Sequence, residues 1–491
     1  MTAPDPQHRA TLQRLARKAM LDRGLLPDFP PASLEELGRI KARAPGDAAP
    51  GVRDLRDLPW ASIDNDLSLD LDQLTAAEAL PGGAVRILVA VADVDGAVAK
   101  DSALDLHARH NTTSVYTAAR LFPMLPDALS TGLTSLNCNA DRLAVVVTME
   151  VGADGSVGAC ELCRARVRSH AKLAYDSLAA WLEGTGAMPA AVAAEPGLDA
   201  NLRLQDEVAQ RMKHFRHEHG ALSLDCLEAR PVFDGDRLQD LVVQAKNRAH
   251  VLIEDFMIAA NGATVRYLAS LAFPSIRRVV RTPRRWSRLV ELAGERGCQL
   301  PVEPDGAALE PFLLRQKVVD PLHFPELSLA VIKLLGPGEY LAQAPGDNSP
   351  GHFALAMKEY AHATAPNHRF SDLVTQRLVK AGLASAPCPY TLAELEELAA
   401  RCTLEEDAAT KVERQVAKSA AALLLEGRVG ETFEGIVTGA SAKGTWIRLL
   451  PSHIDGRLVH GPMGLDVGAA VRAKLVAVDV ERGFIDLAAT S

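Results

Sequence analysis

The stretch Ile63-Asp-Asn-Asp-Leu-Ser-Leu-Asp-Leu-Asp72 constrains this chain most. Asp64, Asp66, Asp70 and Asp72 occupy even positions, while Ile63, Leu67, Leu69 and Leu71 occupy odd ones. In an extended segment, a period of two predicts the acids on one face and the apolar side chains on the other. Carboxylates crowded on one face repel and raise one another's pKa unless a cation lies among them. With no nearby Cys or paired His, such donors favour a hard ion, Mg²⁺ or Mn²⁺. Asp64-x-Asp66 also opens like a calcium loop, but Leu69 stands where that loop needs Gly and Thr75 where it needs Glu. An exposed acidic loop is the plain alternative.

The rest of the chain supplies a setting for those acids. Residues 1–52 predict two short helices, the first over His8–Arg23 with Leu12, Leu15, Ala16 and Ala19 as its apolar stripe. The second starts at a cap on Ser33, with Glu36 completing a capping box. Together they suggest a helix-turn-helix-like module, followed by a linker marked by Pro45, Gly46, Pro50 and Gly51. From residue 53 to 426 the pattern is mixed: strands over Val85–Val94 and Leu143–Val151, a helix over Leu202–His217, and a hairpin of Ala221–Phe233 with Leu238–Gln244 around Asp234-Gly235. A helix over Lys246–Leu268 is largely apolar yet carries one polar stripe, Asn247, His250, Glu254 and Asn261. A Glu buried there needs a partner, either a structural hydrogen-bond network or a ligand. Ser371–Ala381 reads as an amphipathic helix.

Residues 427–491 change texture. Alternating segments at Thr432–Val437, Thr445–Leu450, Gly456–His460, Ala470–Asp479 and Phe484–Ala488 are punctuated by glycines, as in a five-stranded OB-type barrel. If Ile447 and Leu449 point inward, Trp446 and Arg448 point outward. That pair could stack on a nucleic-acid base, or Trp446 could pack on the neighbouring domain.

Net charge is −9, which argues against a uniformly basic nucleic-acid coat but leaves room for a basic channel. The densest cationic stretch, Arg277 to Arg288, holds six Arg in twelve residues. It reads as a solvated loop leading into a helix or as a phosphate track. No run approaches the length of a membrane span and no secretory signal is visible. Seven cysteines, an odd number, suggest reduced thiols and a cytoplasmic protein. Cys160-x-x-Cys163 lies in a strand-like run where the two thiols face opposite sides, against a zinc or redox pair.

"SIDNDLSLDLD" resembles the signature of the ribonuclease II (RNB) family of 3′→5′ exoribonucleases. The likeness continues through "VAVADVDGAV", "SALDLHARHNTTSVY", "FPMLPDALS", "SLNCNADRLAVVV", "LIEDFMIAAN" and "HATAPNHRFSDLVTQRL". It implies an α+β multidomain chain: a short helical N-terminal module over 1–52, a mixed α/β RNB catalytic domain over 53–426, and an RNA-binding OB barrel over 427–491. Family relatives usually carry two cold-shock barrels ahead of the catalytic domain, for which residues 1–52 have no room. The implied activity is metal-dependent hydrolysis of single-stranded RNA from its 3′ end to nucleoside 5′-monophosphates, with Mg²⁺ or Mn²⁺ as cofactor. A monomer is expected, with no membrane partner.

The resemblance assigns roles residue by residue. Asp64, Asp70 and Asp72 hold or orient the metal, Tyr116 clamps the terminal nucleotide, Glu254 meets the ribose, and Arg369 grips the phosphate. Three positions depart from the family. Gln73 stands for its last Asp and can offer the metal only a carbonyl oxygen. His368 stands for the first Arg of Thr-Ser-Pro-Ile-Arg-Arg-Tyr, and Leu224 for a stacking Phe. These departures keep open an RNA-binding protein of the same fold with weak or lost catalysis. A metal phosphatase for a small substrate fits the acids but not the barrel.

Overall fold

The computed structural model describes residues 7–42, 51–225, 228–441, 444–450, 452, 454–460 and 469–490. At its centre is a seven-stranded mixed sheet. Its order is Val52–Asp54, Val157–Arg168, Asp141–Val151, Val85–Ala92, Gln73–Ala79, Ala61–Asp64 and Ala171–Ala174. Val85–Ala92 is apolar at nearly every position because both of its faces are covered, which a middle strand requires. The turn after Val151 needs a glycine: Gly155 has φ +87°, and a Cβ there would meet the Arg211 carbonyl at 2.3 Å.

Helices Leu198–Glu218, Arg248–Ser270, Phe370–Leu383 and the first turns of Leu392–Leu425 share the sheet's apolar core. A second cluster forms among helices Trp286–Gly294, Gly306–Val319 and Phe324–Leu335. The C-terminal strands, Thr432–Ser441, Gly444–Leu450, Ile454–His460, Ala470–Asp479 and Phe484–Ala489, close a barrel. Its core includes Ala421, Ala422 and Leu425, so the 34-residue helix Leu392–Leu425 is shared between the barrel and the core of the seven-stranded sheet. Among the described residues no helix is long and apolar enough to cross a membrane.

Several expectations are corrected. The helix Pro31–Ala42 begins before Ser33, whose hydroxyl instead donates to the Ala103 carbonyl, while Glu36 accepts the Leu104 N–H. There is no capping box at Ser33. The first helix, His8–Asp22, lies along Leu392–Leu425, and the second packs on Ala103–Asn111. The expected linker, save Gly51, lies outside the described residues. The hairpin strands are Glu228–Asp234 and Arg237–Gln244; Ala221–Asp225 is irregular. Arg277 and Arg278 fall in a strand, Ser275–Val279, before the helix begins at Trp286. Cys160 and Cys163 are free thiols on opposite faces of a strand.

Candidate active site

The acidic stretch is not a strand. Ala61–Asp64 is extended and Gln73–Ala79 is extended, but residues 65–72 form the loop between them. The expected apolar face holds only at the ends, Ile63 and Leu71, which are buried; Leu67 is 88% exposed and Leu69 61%. The loop is held by the segment after Thr134. Ser135 Oγ donates to the Leu69 carbonyl at 2.8 Å and accepts the Leu71 N–H at 3.0 Å, and Leu71 accepts the Leu136 N–H at 2.9 Å. Those bonds turn Asp70 and Asp72 inward and leave Asp66 exposed.

Asp72 is 3% exposed. Its Oδ1 accepts Nδ2 of Asn367 at 2.6 Å, and Asn367 in turn accepts the Thr134 hydroxyl at 2.7 Å. Its Oδ2 is buried without a hydrogen-bond partner. Burial pushes Asp72 up to about 6, against the pull of His368 and the Asn367 amide. Asp64, at the strand end, accepts the Asn65 N–H at 2.6 Å; burial raises it too, with Asp70 adding to the rise.

His368 faces this cluster. Its Nε2 lies 3.4 Å from Oδ2 of both Asp70 and Asp72. Its Nδ1 is 2.9 Å from the Tyr116 hydroxyl and 3.2 Å from Ser114 Oγ. The ring is delivered by a short backbone pairing of residues 112–114 with 368–370: Ser114 N–H donates to the His368 carbonyl at 2.9 Å and Phe370 N–H to the Thr112 carbonyl at 2.8 Å. Thr112, left-handed at φ +57°, turns the chain out of helix Ala103–Asn111 into that pairing. Tyr116 is 54% exposed as a residue. Enclosure of its hydroxyl, then the charges of Asp70, Asp72 and Asp64, push the phenol up.

Other expected residues stand differently. Arg369 turns onto Asp372, with Nε–Oδ2 2.9 Å and Nη2–Oδ1 2.7 Å. Asp372 is fully buried and also accepts the Ala365 N–H at 2.9 Å. This bidentate pair anchors the loop that carries His368, so Arg369 is committed to a carboxylate rather than free for a phosphate. Gln73 heads its strand and donates its amide to the Thr364 carbonyl.

Glu254 is not buried: its side chain is 40% exposed and pairs with Lys246 at 2.7 Å. The buried acid of that helix is Asp255, held by Arg216. Asn247 and His250 form the helix's N-terminal capping box, and His250 stacks on Tyr175 at 3.8 Å. Leu224 packs against the three-helix cluster. Trp446 and Arg448 do point away from the barrel core, but Arg448 is bound to Glu326 at 2.7 Å and Asp455 at 2.9 Å. Sequence reasoning missed Asn367 and Ser114, both of which lie inside stretches already matched to the family.

Among the described residues no three His, Cys, Asp or Glu side chains close into a ready-made metal cluster. The donor chemistry nevertheless fits a hard divalent cation. Asp64, Asp70 and Asp72 all act on the Tyr116 hydroxyl, and Asp72 Oδ2, which accepts no hydrogen bond, is an oxygen that a cation would satisfy.

A seven-stranded sheet with an acidic loop at its edge, closed by a five-stranded barrel, defines the class: the chain belongs to the RNB domain family, which matches residues 52–385. Residues 431–490 match the RNase II-type exonuclease C-terminal S1 domain. Ribonuclease R of Escherichia coli is 30% identical over 459 residues, covering 88% of this chain and 54% of that protein. Ribonuclease R of Vibrio cholerae is also 30% identical, over 94% of this chain and 60% of that protein. The chain thus spans a little over half the length of these relatives. Among solved structures, Mycoplasma genitalium RNase R in complex with ribose-methylated single-stranded RNA has the same fold. Its TM-score is 0.87 at 23% identity, covering 98% of this chain and 78% of that one. The fold also occurs in yeast Ssd1, a pseudonuclease, with TM-score 0.68 and 15% identity over 96% of this chain and 59% of that one.

Proposed function

We propose that this chain hydrolyses the 3′-terminal phosphodiester of single-stranded RNA and releases nucleoside 5′-monophosphates. The grouping of Asp64, Asp70 and Asp72 around the Tyr116 hydroxyl, in a chain of the RNB family, carries this reading. Asp64, Asp70 and Asp72 would hold a Mg²⁺ or Mn²⁺ ion. Such an ion neutralises the phosphate and lowers the pKa of an attacking water. Tyr116 offers its exposed ring face to the terminal base, and its hydroxyl fixes the His368 ring. Asn367 holds Asp72 by one oxygen and leaves the other without a hydrogen bond, 3.4 Å from His368 Nε2. The Arg369–Asp372 pair sets the loop, and the loop brings His368 to 3.4 Å from both Asp70 and Asp72. Trp446 on the barrel is a second stacking surface for the incoming strand.

The test is a 5′-labelled single-stranded RNA incubated with the protein and Mg²⁺ or Mn²⁺. Stepwise shortening from the 3′ end is expected, with single-stranded DNA resistant. Internal fragments at first turnover would sink the exonuclease reading.

A second reading is an RNA-binding protein of this fold with little turnover. Its motive is that Gln73 supplies no charge and turns its amide to Thr364, so the acids have one carboxylate fewer than the family pattern. RNA binding without shortening in either metal would favour it.

A further inference from the structure

The arginine-rich stretch from Arg277 to Arg288 is not absorbed by the site above. It forms one side of a groove of about 1180 Å³, whose other side is the helix Leu392–Leu425. Four of its arginines, Arg278, Arg281, Arg284 and Arg285, line the groove, and Arg414 faces them from the helix.

The groove's acids are already engaged. Glu406 pairs with Arg278 and Glu339 with Arg281, each at 2.5 Å, and Asp407 pairs with Lys411 at 2.6 Å. Arg285 donates to the Lys333 carbonyl at 2.9 Å, which leaves its charge uncompensated. Arg284 and Arg414 are exposed and make no ion pair among the described residues. Three guanidinium charges thus remain over in one groove, on a chain whose net charge is −9. A merely solvated surface has no reason to gather its uncompensated arginines in a concavity, where they repel one another. Guanidinium forks in such a place match phosphate oxygens.

The groove also backs onto the candidate site. The Arg278 guanidinium lies 4.7 Å over the Tyr340 ring, and its backbone N–H donates to the Tyr360 carbonyl at 2.8 Å. Tyr340 and Tyr360 are buried, and the charge of Arg369 acts on both. Because these rings are buried, the groove offers charge without an aromatic platform. It suits a nucleic-acid backbone rather than its bases.

We propose that this groove is a phosphate track, independent of sequence, that holds the 5′-ward backbone of a single-stranded RNA whose 3′ end occupies the acidic site. The inference rests on the exonuclease reading for the position of the 3′ end. It goes beyond that reading in assigning a second RNA-binding surface.

The test uses the full chain carrying Arg284→Glu and Arg414→Glu together, with Arg284→Ala and Arg414→Ala as a milder pair. Arg288→Glu, at an exposed arginine paired with Glu291 outside the groove, is the control. Binding is measured in chelator, at several salt concentrations, with single strands of about 20 and about 4 nucleotides, long and short against a typical single-strand site. Turnover of the short strand is measured with metal. For the long strand, the charge-reversal pair should lose about tenfold in affinity, and its salt slope should flatten by about 1.4, at roughly 0.7 per phosphate contact. Short-strand turnover should not change. Unchanged long-strand affinity and slope would overturn the track. So would equal losses for long and short strands, which would place the effect in the catalytic mouth. Weaker binding of a nucleoside monophosphate with unchanged long-strand affinity would give the groove to product and also overturn it. If the unmutated chain neither binds nor shortens either strand, the exonuclease reading falls first and the track with it.

Discussion

Replacing Asp72 by Asn tests the site through stability as well as activity. The change keeps an oxygen for the Asn367 amide and nearly the same volume, and removes one charge from a place 3% exposed. In the metal-free protein that charge is a burden. Burial raises Asp72 from 3.8 to about 6, which corresponds to about 3 kcal/mol of folding free energy once the group is ionised. Since the folded-state value is the higher one, the folded state favours the protonated form. The associated stabilisation is complete below about pH 4 and is lost as pH rises through about 6. In chelator, Asp72→Asn should therefore match wild type near pH 4 and gain up to about 3 kcal/mol above pH 6, read from denaturant unfolding at each pH. Added Mg²⁺ or Mn²⁺ should stabilise wild type and leave the variant nearly unmoved, because only an ion that binds the folded state shifts the equilibrium. The same variant should release mononucleotides at least about a hundredfold more slowly, a loss of about 2.7 kcal/mol of transition-state stabilisation. Asp66→Asn, on the exposed side of the loop, should change neither quantity. A variant as pH-sensitive as wild type, or one that degrades RNA at the wild-type rate, would refute the placement of Asp72 at a buried catalytic centre.

Arg369→Ala leaves Asp372 fully buried and unpaired, so it should cost about 3–5 kcal/mol in unfolding free energy rather than act on rate alone. A stable, slow variant would instead assign Arg369 to the phosphate. His368→Arg places a permanent charge beside Asp70 and Asp72 and should raise turnover; an unchanged or lower rate would mean that the loop is built for the ring held by Tyr116. Trp446→Ala should lower single-stranded RNA affinity by about 1–3 kcal/mol with little change in Tm, measured by titration and thermal unfolding; unchanged affinity would remove the barrel tryptophan from the RNA path.

What the sequence by itself determined is local and periodic. Alternation placed the five barrel strands close to their observed ends and put Trp446 and Arg448 outside Ile447 and Leu449, because in a half-buried strand every second side chain must leave water. The ordered motifs identified the family, since so long a series of short matches does not arise by composition. Partners and exposure were decided only in three dimensions. The acidic stretch alternates as a strand would, yet it became a loop because Ser135 and Leu136 capture its backbone. Asp72 finds its amide 295 residues away at Asn367, and His368 finds its hydroxyl 252 residues away at Tyr116. Glu254 reads as buried on an apolar helix but lies near its exposed start beside Lys246. Arg369 reads as a phosphate grip and Arg448 as an outward partner of Trp446, and each is bound by a carboxylate. A side chain's period can be read from its neighbours in sequence. Its hydrogen bonds and ion pairs depend on which distant segment the fold brings beside it, and here those contacts decide which acids, rings and arginines are left for chemistry.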